Sequence, residues 1–124
     1  MMVACWFAIL KAGGIVVATM PLLRSKELTT IIDCAEISHV FCDAALEDEM
    51  DTVASSFLKR ICWFDGSEKK PSELEHLLKN KPKNSSNYNS KSDSVALIGF
   101  TSGTTGLPKR TAHFHKDILN KIRK

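Results

Sequence analysis

Ser94-Val-Ala-Leu-Ile-Gly-Phe100 runs directly into Thr101-Ser-Gly-Thr-Thr-Gly-Leu-Pro-Lys109, and this passage decides how the whole chain is read. The first part is a short, mostly apolar run bounded by polar residues, which predicts a buried strand. In the second part Gly103 and Gly106 permit positive φ and close backbone approach, so several N–H groups can turn toward one anion. Thr101, Ser102, Thr104 and Thr105 add hydroxyl donors, Lys109 adds a compact positive charge, and Pro108 stiffens the exit. Gly, Ser, Thr and Pro are also ordinary turn residues, so a plain polar hairpin turn is the competing reading. Four hydroxyls, two glycines and a lysine within nine residues exceed what a turn needs and point to phosphate. The order is not that of a Walker A loop, because Leu107 and Pro108 precede the lysine and Arg110 follows it. A strand that feeds such a loop puts it at a sheet end, where ligands of α/β folds sit.

Upstream of this passage, helical patterns alternate with short apolar runs. Met1 to Ala12 is apolar all round and predicts a buried helix, stopped by Gly13 and Gly14. Ile15 to Met20 is a β-branched run expected to be a buried strand. Ser25 is the expected N-cap of a helix to Ala35 whose Leu28, Ile31 and Ile32 share a face. Ser38 to Cys42 and Lys59 to Phe64 are two further strands. Between them a helix is expected over Glu47 to Phe57, its acidic residues gathered where the helix dipole favours negative charge. Ser72 and Glu75 read as a capping box for a short helix ending near Lys79. Residues 79–94, rich in Asn, Ser and Lys, form a solvated polar linker rather than a charged docking strip. After the loop, Arg110 to His115 is a second strand candidate, and Asp117 begins a final helix.

This alternation predicts an α/β fold, a partial and mostly parallel sheet flanked by helices, with residues 1–124 as one partial domain. The composition of 44% hydrophobic and 25% charged residues suits an ordinary soluble globular chain. A net charge of +3, with no basic stripe interleaved with aromatics, argues against a nucleic-acid partner. The opening apolar run lacks a positive n-region and is too short to span a bilayer, so no membrane partner is expected. Cys5, Cys34, Cys42 and Cys62 form no CxxC pair and read as reduced core thiols, which suits a cytoplasmic setting. His113 and His115, two apart, would share one face of a strand. They lack a third ligand at metal spacing, so no metal site is assigned.

The string Phe100 to Lys109 resembles the phosphate-loop motif of the adenylate-forming superfamily, which contains acyl-CoA synthetases, luciferases and adenylation domains. Met1 to Asp33 and His113 to Leu119 are similar to benzoate and 2-aminobenzoate CoA ligases. The resemblance implies an AMP-forming acid–thiol ligase that uses ATP, Mg2+ and coenzyme A on a small carboxylic acid. It implies that Thr101, Ser102, Gly103, Thr104, Thr105, Gly106 and Lys109 bind the phosphates. It also implies that His115 is a catalytic-site histidine bordering the acyl and adenylate pocket.

Two departures follow from the same resemblance. Arg110 replaces a usual glycine: it is strained if the position needs positive φ and tolerated if the position is extended. The magnesium-binding acid and the mobile C-terminal lysine of the family have no counterpart in this sequence, so an internal piece of the large N-terminal domain, inactive alone, is expected. Its partner would be the missing remainder of the enzyme. A non-catalytic nucleotide-binding module and a truncated remnant that makes only protein contacts are the alternatives, separable by ATP affinity that depends on Lys109.

Overall fold

A computed structural model of the chain describes residues 1–101 and 108–122. Contacts divide the chain into two units, one of Met20–Ser85 with Met1–Met2, the other of Val3–Thr19 with Ser86–Lys124. The division at residue 85 falls inside the polar linker read from the sequence.

In the first unit, β2 (His39–Asp43) and β3 (Arg60–Phe64) pair in parallel, His39 opposite Arg60 through Asp43 opposite Phe64. Strand alternation sends Val40, Cys42, Ile61 and Trp63 to one face. There they meet Ile32 of α2 (Ser25–Ala35) and Met50 of α3 (Glu47–Met50), with Leu28, Ile37, Val53 and Leu58 around them. Burying each large apolar side chain in this cluster stabilises the unit by roughly 1.5–3 kcal/mol. The opposite face carries Cys62 and Phe64, both buried, and looks toward Leu74 and Leu77 of α4 (Glu73–Lys79).

Three local expectations change in this unit. Arg24, not Ser25, occupies the N-cap of α2, and the orphan donors are taken by carboxylates. Arg24 N–H donates to Glu27 Oε2 at 2.8 Å, while Ser25 N–H donates to Glu49 Oε2 at 2.9 Å. The Arg24 guanidinium holds Glu49 Oε1 at 2.7 Å, so one side chain from α3 caps a helix that lies 24 residues earlier. The helix expected over Glu47 to Phe57 is a single α-turn, Glu47–Met50, preceded by the 3-10 turn Ala44–Leu46. It stops because Thr52 turns its hydroxyl back on the Glu49 carbonyl at 3.0 Å and Val53 N–H closes on Met50 O. The Ser72–Glu75 capping box does not form: Ser72 Oγ accepts from Gly66 N–H and Glu75 Oε1 from Asp65 N–H, each at 3.0 Å. Both groups hold the turn at Asp65, whose φ of 49° is left-handed.

The loop between β3 and α4 is tied to the acidic α3. Lys70 Nζ lies 4.9 Å from the Trp63 ring and 2.7 Å from Asp51, and Lys69 reaches Glu47 and Asp48 at 3.4 Å. The cation over the indole fixes where the loop crosses the core.

In the second unit the sheet order is β1-β4-β5. β1 (Val16–Val17) runs parallel to β4 (Val95–Thr101), and β5 (Lys109–Phe114) returns antiparallel. β1 is shorter than the expected Ile15 to Met20, because its ladder to β4 spans only Leu97 and Ile98. The helix α1 (Met2–Lys11) forms where expected but buries only Cys5, leaving Val3 and Phe7 about 60% exposed (58% and 60%). A helix that is apolar all round buries only the face that finds a partner. The linker also has a structural point: Tyr88 N–H donates to Lys11 O at 2.8 Å, fastening residue 88 to the end of α1. Gly13 there has φ 82°, and a Cβ on it would stand 2.5 Å from Tyr88 Cγ.

Gly13→Ala should therefore destabilise the chain by roughly 1–2 kcal/mol from φ alone, with the ring clash added. Urea denaturation of Gly13→Ala with and without Tyr88→Ala should show the clash relieved and the φ cost retained. The carboxyls of Glu49, Glu73 and Glu75 are all held below the usual 4.5, by Arg24, by Arg60 and by Asp65 N–H respectively. In each case the unfolded chain takes up the proton first, so stability is present above pH 4.5 and is lost as pH falls below it. Urea midpoints should be flat from pH 6 to 8 and drop on acidification below about pH 4.5, with Glu49→Gln less steep.

Candidate functional site

The ladder between β4 and β5 carries the candidate site, because it fixes where the glycine and hydroxyl loop begins and ends. Thr101 pairs with Lys109, Phe100 with Arg110, Ile98 with Ala112, and Leu97 with His113. A one-residue irregularity between Val95 and Leu97 then brings Val95 opposite Phe114. Thr101 and Lys109 are thus directly across from each other at the mouth of the loop, both exposed. Cross-strand partners stand about 4.5–5.5 Å apart at Cβ, so one hydroxyl and one ammonium are presented together to solvent. Ser102, Gly103, Thr104, Thr105, Gly106 and Leu107 lie outside the described residues.

The base of the hairpin is closed by a second set of bonds. α5 (His115–Ile122) begins directly after β5, and its first N–H groups need acceptors. His115 N–H donates to Ser94 O and Lys116 N–H to Ser92 O, each at 3.1 Å. Phe114 N–H donates to Asp117 Oδ2 at 3.0 Å, a carboxylate in the first turn where the dipole welcomes it. Lys116 Nζ is 2.6 Å from Asp93 and 5.7 Å from the Phe114 ring, and the Asp93 carboxylate holds its ammonium above the usual lysine range. These contacts lock the residues just before β4 to those just after β5.

His115 is therefore at the base of the hairpin and the loop at its tip. It is the first residue of α5 rather than the last of a strand, so it does not share a strand face with His113. Along β5, His115 is six positions beyond Lys109. At about 3.4 Å per residue that strand spans roughly 20 Å. The structure brings Thr101 and Lys109 together and sets His115 apart from them.

Arg110 lies inside β5 opposite Phe100, in paired, extended backbone. The described non-glycine residues with positive φ are Glu36 and Asp65, so Arg110 is not a strained replacement for a glycine. Among the described residues no cluster of three or more His, Cys, Asp or Glu could hold a metal ion. The thiol of Cys42 is pushed up to about 11 by burial, with Asp43 and Asp51 adding to it, which makes it an inert core group rather than a nucleophile. Among the described residues no helix is long and apolar enough to cross a membrane.

Thr111 was missed in the sequence. It is exposed and lies two residues beyond Lys109 on the same strand face, opposite Gly99. Only the register, which a single strand pattern does not supply, links it to the loop.

Comparison with known proteins gives the family and the fold. The family pattern described as AMP-binding enzyme matches residues 1–124. The putative acyl–CoA ligase YdaB of Bacillus subtilis is 31% identical over 121 residues, covering 95% of this chain and 24% of that protein. The human mitochondrial acyl-coenzyme A synthetase ACSM3 is 25% identical over 114 residues, covering 90% of this chain and 20% of the relative. The anthranilate CoA ligase AuaEII in complex with anthranoyl-AMP superposes with a TM-score of 0.86 over 98% of this chain and 24% of its own, at 21% identity. ATP-bound MatB from Rhodopseudomonas palustris gives 0.82 over 97% and 24%, at 22% identity. The chain spans about a quarter of the length of these proteins, or less.

Since Arg110 is extended, Arg110→Gly should relieve nothing and should destabilise the chain by about 0.5–1 kcal/mol through the entropy of glycine in a strand. A rise in the urea midpoint of this variant would contradict the extended assignment.

Proposed function

Because the chain belongs to the AMP-binding enzyme family, we propose that it is the phosphate-loop part of an AMP-forming acyl-CoA synthetase for an aromatic carboxylic acid. The observation that carries this is the pairing of Thr101 with Lys109 at the mouth of a loop of sequence Ser-Gly-Thr-Thr-Gly-Leu-Pro. An exposed hydroxyl and an exposed ammonium held a few ångströms apart by a backbone ladder suit the oxygens of a triphosphate.

In the reaction the carboxylate oxygen attacks the α-phosphorus of ATP and pyrophosphate leaves. The sulfur of coenzyme A then takes the acyl group from the adenylate, with loss of the thiol proton and departure of AMP. The first step brings two anions together, so the task of the loop is electrostatic. Thr101, Ser102, Thr104 and Thr105 would donate hydroxyls, the backbone at Gly103 and Gly106 would donate N–H groups, and Lys109 would hold charge against the phosphates. For His115 the proposal is a positioning role at the border of the acyl and adenylate pocket, at the hairpin base and away from the phosphates. Magnesium would supply further charge neutralisation, from ligands outside the described residues.

The aromatic acid is supported by likeness of scaffold to an anthranilate CoA ligase. Inactivity of the chain by itself is supported by its share of its relatives' length, about a quarter or less, and by the exposed apolar residues Val3, Phe7 and Leu22, which suit a piece packed against more protein. That remainder is the proposed partner, and the cytoplasm is the proposed setting, in keeping with the reading of the cysteines as reduced core thiols.

A unit charge at 4 Å contributes about 1 kcal/mol in water-like surroundings and about 4 kcal/mol at an effective dielectric of 20. Lys109 is exposed, so the lower part of that range applies. Titration calorimetry should show ATP binding that weakens about ten-fold or less in Lys109→Ala and fades with added salt. The chain should show no acid-dependent exchange of pyrophosphate into ATP. Equal ATP affinity for the parent and Lys109→Ala would overturn the reading.

A further inference from the structure

The register of β4 and β5 sorts the hairpin into two unlike faces. On one face stand the pairs Phe100 with Arg110 and Ile98 with Ala112. The other carries Thr101 with Lys109, then Gly99 with Thr111, then Leu97 with His113. This second face is polar from the loop inward: Thr101, Lys109 and Thr111 are exposed and His113 is half-buried. In its middle the position of Gly99 is bare. A Cβ built there meets nothing within 4 Å, although the residue lies in the central strand of the sheet. A glycine inside a strand weakens it, and one reason for such a position is close approach by a ligand or another backbone. The surrounding hydroxyls, ammonium and imidazole favour a polar ligand over an apolar helix.

We propose that this strip is the floor of the ligand site. The part of the nucleotide beyond the terminal phosphates, its α-phosphate first, lies over Gly99, with Thr111 as a hydroxyl donor and His113 closing the inner end. Along the strand, Thr111 is about 7 Å and His113 about 14 Å from Lys109, which suits a phosphate chain running inward from the loop. The assignment rests on the nucleotide-binding reading above and extends it to residues outside the loop.

The test is calorimetry of the 124-residue chain with two probes, ATP and inorganic pyrophosphate, because pyrophosphate reaches only the loop. Gly99→Val and Thr111→Val should each weaken ATP binding about ten-fold while leaving pyrophosphate within about two-fold. Thr111→Ser should restore ATP binding, and Ala112→Val, on the opposite face, should leave both probes unchanged. Lys109→Ala should weaken both. Normal ATP affinity in Gly99→Val and Thr111→Val, with both probes weakened in Lys109→Ala, would overturn the strip and leave the loop reading intact; it would also mark Gly99 as a packing position for another backbone. Unchanged affinity for both probes in Lys109→Ala, or no binding of either probe by the parent, would remove the loop reading and the strip with it. Loss of ATP binding in Ala112→Val as well would mean general damage and would also overturn the strip. Should circular dichroism show Gly99→Val unfolded, the Thr111→Val and Thr111→Ser pair decides.

Discussion

The second unit depends on β4 being hydrogen-bonded along both edges, in parallel to β1 and antiparallel to β5. A strand paired on both sides resists sliding, since a one-residue slip would exchange its two faces. Ala96, at the irregularity between Val95 and Leu97, is the buried residue of this strand, with 0% exposure. The two ends of the glycine and hydroxyl loop are in consequence fixed by backbone geometry before any ligand arrives. The bonds from α5 to Ser92 and Ser94 do the same at the base, so the hairpin is clamped at both ends of its ladder.

In the first unit two backbone donors are satisfied by carboxylates distant in sequence. Glu49 caps α2 from another helix, and Glu75 turns from its own helix start to hold Asp65 N–H. The energetic reason is the same in both cases. Orphan backbone donors need an acceptor, and a carboxylate already placed by packing serves them with a charge-assisted bond. A capping pattern in sequence identifies a willing acceptor but not which donor it will find.

The two basic residues at the start of β5 show a similar division. Lys109 stands out in the sequence from its place after two glycines, whereas Arg110 could have been either strain or ordinary strand. Its pairing with Phe100 makes it ordinary strand, because paired extended backbone accepts any side chain. The histidines separate in the same way. His113 stays in the ladder, and His115 leaves it to start α5.

The sequence by itself determined the alternation of helices and strands, the glycine and hydroxyl run that follows the strand Val95–Thr101, and the polar linker in which the two units divide. These are encoded by local period and by residue types whose backbone preferences are strong, such as Gly13 and Pro108. Tertiary structure alone decided that α3 is one turn, that Glu49 and not Ser25 serves the start of α2, and that Tyr88 covers Gly13. It alone joined Gly99, Thr111 and His113 to the Lys109 face. Pairing register and long-range acceptor choice depend on which distant residues arrive opposite one another, and no local pattern carries that information.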